Sequence, residues 1–209
     1  MPVAPLALPN IIWIGGSPCA GKSSIADALA LTYGFSVYRC DDAFTRHAEQ
    51  VVPGRQPVWA RLNSLSCDGL WMRPVERQIT DEIAFYREEF PMILDDLAGI
   101  PAGQTVIAEG AALLPELLDE FIASPRRAIW IVPTPEFQLT HYARRDWTAS
   151  TLAGCTDRDA AWRNWMERDI RFARYVAQTA ATLQYPLLTV DGSHSLEENI
   201  ATARMRLEV

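Results

Sequence analysis

Cysteine and histidine are scarce in this sequence, and none of them stands at a spacing that metal sites use. The 209 residues include four cysteines and three histidines. The cysteines form no C-x-x-C pair, so the sequence indicates neither a zinc site nor a disulfide framework. We expect reduced thiols at all four positions, which are Cys19, Cys40, Cys67 and Cys155. The histidines are expected to be structural or exposed.

Long hydrophobic runs and an excess of basic residues are also missing. No apolar stretch approaches the length of a membrane span. The proline-rich start, an expected extended lead-in over residues 1–10, lacks the charged front of a signal peptide. The net charge of −7 argues against general nucleic-acid binding. These absences favour a cytoplasmic protein whose partners include neither membranes nor nucleic acids, and they leave monomer and homodimer open.

Apolar residues are abundant enough for a full core. They make up 49% of the chain, without internal repeats or low-complexity tracts. At this length we expect one α/β domain over residues 1–209, with small insertions.

The most informative stretch is an apolar run that leads into a glycine-rich turn. Gly16 to Ser23 fits the phosphate-loop pattern G-x-x-x-x-G-K-[ST] without a mismatch. In such loops backbone N–H groups surround the phosphates of a nucleotide, the lysine reaches the β- and γ-phosphates, and the next hydroxyl holds Mg²⁺. We therefore predict a nucleoside triphosphate ligand. Its expected binding residues are Gly16, Ser17, Pro18, Cys19, Ala20, Gly21, Lys22, Ser23 and Ser24.

Strands and helices are predicted to alternate around this loop. Five short apolar runs predict strands, and each precedes a stretch with helical spacing, which is typical of a doubly wound parallel sheet. The predicted strands are 11–14, 35–40, 104–108, 128–132 and 187–190. The predicted helices include 22–33, a helix from 74 that Pro91 kinks or interrupts, 115–122, 137–147, 157–183, and a last one that Ser195 and Glu198 cap.

Acidic residues follow two of the predicted strands. Asp41 and Asp42 come after the second strand and Glu109 after the third, and ligands of such sheets bind beyond the carboxyl ends of strands. Asp41 is the preferred general base for an acceptor hydroxyl, with Asp42 as the alternative because a one-residue shift would exchange them. Capping of the next helix is the competing interpretation. Glu109 is expected to orient Mg²⁺ through water or to bind acceptor hydroxyls.

Two segments are expected to cover the site. Residues 43–100 predict a substrate-covering helical insertion, in which Arg46 is a candidate substrate ligand. The pattern of residues 144–160 predicts a mobile lid in which Arg144 and Arg145 close over the transferring phosphate, unless they form a solvated helix face.

Other basic and aromatic residues are interpreted separately. Three arginines recur at a spacing of five and are expected to be surface charges, namely Arg158, Arg163 and Arg168. Three tryptophans are candidates for lining a substrate or base pocket, namely Trp59, Trp71 and Trp147.

With these residues in place, the chain resembles the P-loop kinases of the nucleoside-monophosphate-kinase-like group. The loop GGSPCAGKS looks much like that of chloramphenicol phosphotransferase. The segment CDDAFTR is similar to the acid-rich segment of polynucleotide kinase, and VIAEGAAL to the third-strand end of uridine and 2-phosphoglycerate kinases. The resemblance implies a three-layer α/β/α fold with strand order 2-3-1-4-5, and an aspartate in the second-strand segment that takes the proton of the acceptor.

The departures from that group leave the acceptor open. The chain has no D-x-D after the second strand and no triple glycine after the third, the features that would indicate shikimate, and it has no guanine-reading N-K-x-D. The predicted function is therefore an ATP- and Mg²⁺-dependent kinase for the hydroxyl of a small molecule, although the choice between ATP and GTP stays open. The alternatives are a toxin-like kinase of nucleotide sugars and a nucleotide-binding regulatory ATPase without an acceptor.

Overall fold

A computed structural model describes residues 8–209. Most of the expected proline-rich lead-in therefore lies outside the described residues. Within them the chain forms one sheet whose five strands are all parallel. The strands are β1 (Asn10–Gly16), β2 (Ser36–Arg39), β3 (Thr105–Glu109), β4 (Ala128–Pro133) and β5 (Leu187–Val190).

The sheet has the order β2-β3-β1-β4-β5, which confirms the expected topology. The helices lie on both of its faces and in the connections between strands. They are α1 (Lys22–Tyr33), α2 (Cys40–Glu49), α3 (Pro57–Asn63), α4 (Cys67–Trp71), α5 (Val75–Ala98), α6 (Pro115–Leu118), α7 (Pro135–Tyr142), α8 (Trp147–Thr151), α9 (Arg158–Thr182) and α10 (Leu196–Arg206).

Alternate strand residues build two separate cores, because successive side chains of a strand point to opposite faces. Ile12 and Ile14 of β1 join the core beneath α1 and α10. Ile11 and Trp13 join the core beneath α5 and α9. All four side chains are buried, as a central parallel strand requires. Since the strands are parallel, their carboxyl ends share one edge, and the phosphate loop follows β1 there.

Two helix ends are capped by residues next to them in the sequence, and the cap at Ser195 confirms the prediction. Gly34 ends α1 in the left-handed conformation, and its N–H donates to the carbonyl of Ala30. Ser195 and Glu198 form a reciprocal capping box at the start of α10.

The alternative in which Pro91 interrupts its helix is wrong. Helix α5 runs continuously from Val75 to Ala98. Pro91 removes one backbone donor, but it sits on the exposed side of α5. On the opposite side Phe90, Ile93 and Leu97 are buried in the core on both sides of the proline, and this packing holds the helix together.

Two helices are shorter than predicted. Helix α7 ends at Tyr142, so Arg144 and Arg145 lie in the link before α8 rather than on a helix face. Helix α6 is a single turn over Pro115–Leu118. The predicted lid at 144–160 also contains a helix, α8, which is followed by the buried Leu152.

The expectation of four reduced thiols is wrong for two of them. Cys67 at the start of α4 forms a disulfide with Cys155, which follows α8. The two positions are 88 residues apart, so no sequence spacing could indicate the pairing. Cys19 and Cys40 are free and buried.

The helices over residues 8–209 include none that is both long and apolar enough to cross a membrane.

Candidate active site

The phosphate loop leaves β1 through a backbone conformation that only glycine adopts easily. Gly16 has φ of 135°, and a Cβ there would lie 1.9 Å from the carbonyl oxygen of Ile131 in β4. The N–H of Ser17 donates to that same carbonyl at 3.2 Å. Gly21, with φ of 79°, precedes the first turn of α1. Loop and helix start therefore present backbone N–H groups to one side, the arrangement that binds phosphate oxygens.

Lys22 is folded across this loop. Its Nζ donates to the carbonyl of Ser17 at 2.8 Å, and the residue is only 9% exposed. Burial lowers the pKa of Lys22, while Glu109 and Asp41 act in the opposite direction. The two acids thus favour the charged form of this buried lysine.

Glu109 is the last residue of β3 and lies directly behind Lys22 and Ser23. It is 3% exposed, and burial raises its pKa, against the effects of Lys22 and of the hydroxyl of Ser23. The Nε of Arg39 lies 3.8 Å from Oε1 of Glu109. A hydroxyl and a carboxylate oxygen at this point are the hard ligands that Mg²⁺ prefers.

The loop forms the floor of a cavity of about 260 Å³, called the phosphate-loop cavity below. Asp41 in the first turn of α2, Tyr86 of α5 and Arg145 form its other walls. Asp42 is not among its lining residues, because one step along a helix turns a side chain by about 100°. The two acids begin a helix rather than end a strand, and only Asp41 faces the loop.

A larger cavity, of about 690 Å³, adjoins the phosphate-loop cavity and shares Cys19, Ala20, Gly21 and Arg145 with it. Its walls come from α7 and from the turn between β5 and α10. Among its lining residues are Glu136, Phe137, His141, Asp191, Gly192 and His194.

Sequence reasoning missed this large cavity. His141 stacks on Phe137 with ring centroids 3.7 Å apart, and both line the cavity wall. A signal was present, since Asp191-Gly192-Ser193 follows a parallel strand at the carboxyl edge of the sheet.

Arg145 and Arg144 occupy different environments. Arg145 lines both the large cavity and the phosphate-loop cavity. Its guanidinium lies 5.2 Å from the ring centre of Tyr142 and 5.5 Å from that of Trp147. Arg144 lines neither cavity. The structure therefore brings one of the two predicted arginines to the site.

On the other side of Tyr86 lies a cavity of about 240 Å³, the polar chamber, between α4, α5 and α9. Tyr86 lines both this chamber and the phosphate-loop cavity, so the two adjoin. The polar residues of the chamber are Arg73, Gln78, Asp81, Glu82 and Arg168.

The polar chamber contains residues that sequence reasoning did not select. Arg168, expected to be a surface charge, is mostly buried and bonds to Asp169 at 2.6 Å. Glu82 also went unnoticed, because a helical spacing alone does not distinguish a buried acid from an exposed one. Trp71, a predicted pocket residue, does line the chamber.

Arg46, a predicted substrate ligand, lies outside the cavities of the candidate site. It forms a two-point ion pair with Asp96, at 2.8 and 2.9 Å, and lines none of these three cavities. The buried His47 also bonds Asp96, at 2.9 Å, and Glu89, at 3.1 Å. These bonds join α2 to α5, so the role of the cluster is structural.

No protein-family model matches this chain, and no curated protein matches it. The solved structure of TT1252 from Thermus thermophilus has a TM-score of 0.50 and 17% identity, covering 97% of this chain and 100% of that one. Shikimate kinase from Aquifex aeolicus has a TM-score of 0.44 and 19% identity, covering 93% and 94%. Together with the strand order, the likeness to TT1252 shows the three-layer P-loop fold.

Proposed function

We propose that this protein is a kinase that transfers the γ-phosphoryl group of ATP to a hydroxyl of a small molecule. One observation carries the proposal. Lys22 and Asp41 line the same phosphate-loop cavity, and this cavity lies between the large cavity and the polar chamber. A site with room on both sides of the phosphates can hold a donor and an acceptor together.

The donor fits the side that carries the large cavity. Phe137, His141 and Arg145 offer flat surfaces for a nucleobase, and the loop amides with Lys22 suit a triphosphate. Ser23, with Glu109 behind it, would hold Mg²⁺. Within residues 8–209 no group of three or more acidic, histidine or cysteine side chains could hold an ion alone, so phosphate oxygens and water would complete the coordination. The ion supplies neutralisation of charge on the phosphates.

The acceptor hydroxyl is expected beside Asp41. A carboxylate on the wall opposite the loop can accept the hydroxyl proton as the oxygen attacks phosphorus. Arg145 stands where the guanidinium can neutralise charge on the transferring group. Both proposed roles depend on the fact that Asp41 and Arg145 line the phosphate-loop cavity, whereas Asp42 does not.

The test is a transfer assay with labelled ATP against a panel of alcohols. Lys22→Ala is expected to abolish transfer, and Asp41→Asn to slow it about 10²- to 10⁴-fold, the usual contribution of a general base. Asp42→Asn, the matched neighbour, should change the rate far less. Equal losses in the two asparagine variants would contradict the assignment. Slow ATP hydrolysis that no alcohol stimulates would favour the regulatory ATPase instead.

A further inference from the structure

The large cavity has an inner wall that is apolar except for one amide. The buried residues of this wall are Cys19, Ala20, Ile25, Val190 and Asn199. Asn199 is only 8% exposed, whereas the other polar residues that line the cavity are exposed or half-buried. The buried part of the cavity therefore offers a ligand one polar side chain on an apolar surface, which is typical of a pocket that fixes the orientation of a bound ring.

The amide of Asn199 is not used by the helix that carries it. At the start of α10 the side chains of Ser195 and Glu198 cap each other's backbone N–H groups, at 3.2 and 2.7 Å, and the hydroxyl of Thr202 donates to the carbonyl of Glu198. Within residues 8–209 no side-chain hydrogen bond involves the amide of Asn199. Because buried polar groups are normally paired, this amide is left for a ligand of the cavity.

Packing does not explain the amide either. Four residues further along α10, and so on the same side of the helix, the buried Ala203 belongs to the core beneath α1. An apolar side chain at position 199 would extend this core without leaving a buried amide unpaired. The asparagine therefore indicates a binding role.

Other polar groups of the cavity already have partners. Nδ1 of His141 lies 2.9 Å from the carbonyl oxygen of Phe137. Oδ1 of Asp191 accepts from the N–H and the hydroxyl of Ser193, at 2.9 and 2.6 Å. In contrast, both the donor and the acceptor of the Asn199 amide are available to a ligand.

We propose, on the basis of the kinase function proposed above, that Asn199 recognises the base of the phosphoryl donor and selects adenine. Oδ1 accepts a hydrogen bond from the 6-amino group, and Nδ2 donates one to a neighbouring ring nitrogen. Asparagine forms this two-point pair with adenine because its amide presents an acceptor and a donor side by side. Asn199 thus determines specificity and takes no part in the transfer itself.

Guanine fits this wall less well. It would reverse the two hydrogen bonds, and its 2-amino group would need a further acceptor. The side chains next to Asn199 in the buried wall are apolar and offer none. The wall therefore favours adenine over guanine.

Binding of three ligands to a matched variant tests the role of Asn199. The ligands are the non-hydrolysable β,γ-imido analogue of ATP, the same analogue of purine riboside triphosphate, which lacks the 6-amino group, and inorganic tripolyphosphate, each with Mg²⁺. Asn199→Leu keeps the volume and removes both bonding atoms, so the ATP analogue should bind about tenfold or more weakly in titration calorimetry. The purine riboside compound, which has already lost one of the two bonds, should weaken less, and tripolyphosphate binding should not change.

Two further variants complete this experiment. Asn63→Leu, at an exposed asparagine outside the large cavity, is the matched control and should leave all three affinities unchanged. Asn199→Asp keeps the size of the side chain and turns an acceptor towards the ring nitrogen, so it should weaken the ATP analogue in the same way if the leucine variant does not fold. Unchanged affinity for the ATP analogue, or an equal loss for all three ligands, in both variants of Asn199 overturns the proposal.

The wild type tests the choice of base directly. The ATP analogue should bind about tenfold or more tightly than the corresponding GTP analogue. Equal or tighter binding of the GTP analogue, for which the exposed Asp191 would supply the further acceptor, overturns the selection of adenine.

The two proposals fail in different ways. Transfer of labelled phosphate from GTP as efficiently as from ATP would keep the kinase function and reject the selection of adenine. Binding of ATP that depends on the Asn199 amide, without transfer to any alcohol, would do the opposite.

Discussion

The two halves of the proposed site are built by different means. The proposed donor half depends on the backbone of one short loop, with Gly16, Gly21, Lys22 and Ser23 all within residues 16–24. The proposed acceptor half depends on side chains of α4, α5 and α9, which lie far apart in the chain. The loop offers backbone dipoles to a ligand, whereas the polar chamber is walled by ion-paired side chains.

This difference determines which amino-acid substitutions each half tolerates. A loop that curls over a neighbouring strand leaves no room for even one added carbon. In the polar chamber, by contrast, a substitution that removes one member of a buried ion pair leaves its partner uncompensated, so charge rather than space limits which side chains can be exchanged. Three substitutions test this contrast.

The largest effect is expected from Gly16→Ala. The new methyl group would meet the carbonyl of Ile131 in a backbone conformation that alanine rarely adopts, so we expect a loss of about 3–5 kcal/mol in the free energy of unfolding. Chemical denaturation measures the loss, and nucleotide binding should disappear with it. Gly54→Ala, where nothing lies within 4 Å of the new carbon, is the control. Similar stability of the two variants would contradict the account of the loop.

A smaller loss is expected from Cys67→Ser, which removes the bond to Cys155. A disulfide typically stabilises a protein by about 2–4 kcal/mol, mainly by restraining the unfolded chain. Addition of a reductant should lower the stability of the wild type to that of the variant and leave the variant unchanged. An unfolding midpoint in the wild type that does not respond to reductant would show that the bond is absent.

The smallest effect depends on pH and concerns Glu82, which is 9% exposed. Burial raises its pKa from 4.5 to about 7, with Asp169 adding to the rise and Arg168 opposing it. The folded protein therefore keeps a proton that the unfolded chain loses between pH 4.5 and about 7, and the wild type becomes less stable as the pH rises through this window.

Glu82→Gln removes that ionisation. Relative to the wild type it should gain about 1–3 kcal/mol of stability as the pH rises across this window. Denaturation curves at several pH values measure the difference, and Glu49→Gln, at an exposed acid, is the control. A difference that stays constant with pH would contradict a buried, protonated Glu82.

The same contrast decides what the sequence could predict. The strands and the loop follow from local signals, since apolar runs, glycines and caps act over a few residues, whereas the strand order followed only from the resemblance to P-loop kinases. Asp41 was found because the carboxyl edge of a parallel sheet is a known place for ligands. Arg168 was misjudged, because its burial depends on packing against α5, more than eighty residues away in the chain. The predicted interruption at Pro91 failed for the same reason. Packing of the opposite side of α5 in the core stabilises the helix by more than the one missing hydrogen bond costs.

The bond between Cys67 and Cys155 also bears on how the two proposed substrates would influence each other. It fastens α4, which carries Trp71 in the wall of the polar chamber, to the segment that follows Arg145 and α8. In the proposed kinase, a donor that displaced this segment would move the chamber wall with it. Coupling between two binding sites is reciprocal, so the proposed donor and acceptor would then change each other's affinity by the same factor. We therefore expect the bridge to make their binding cooperative.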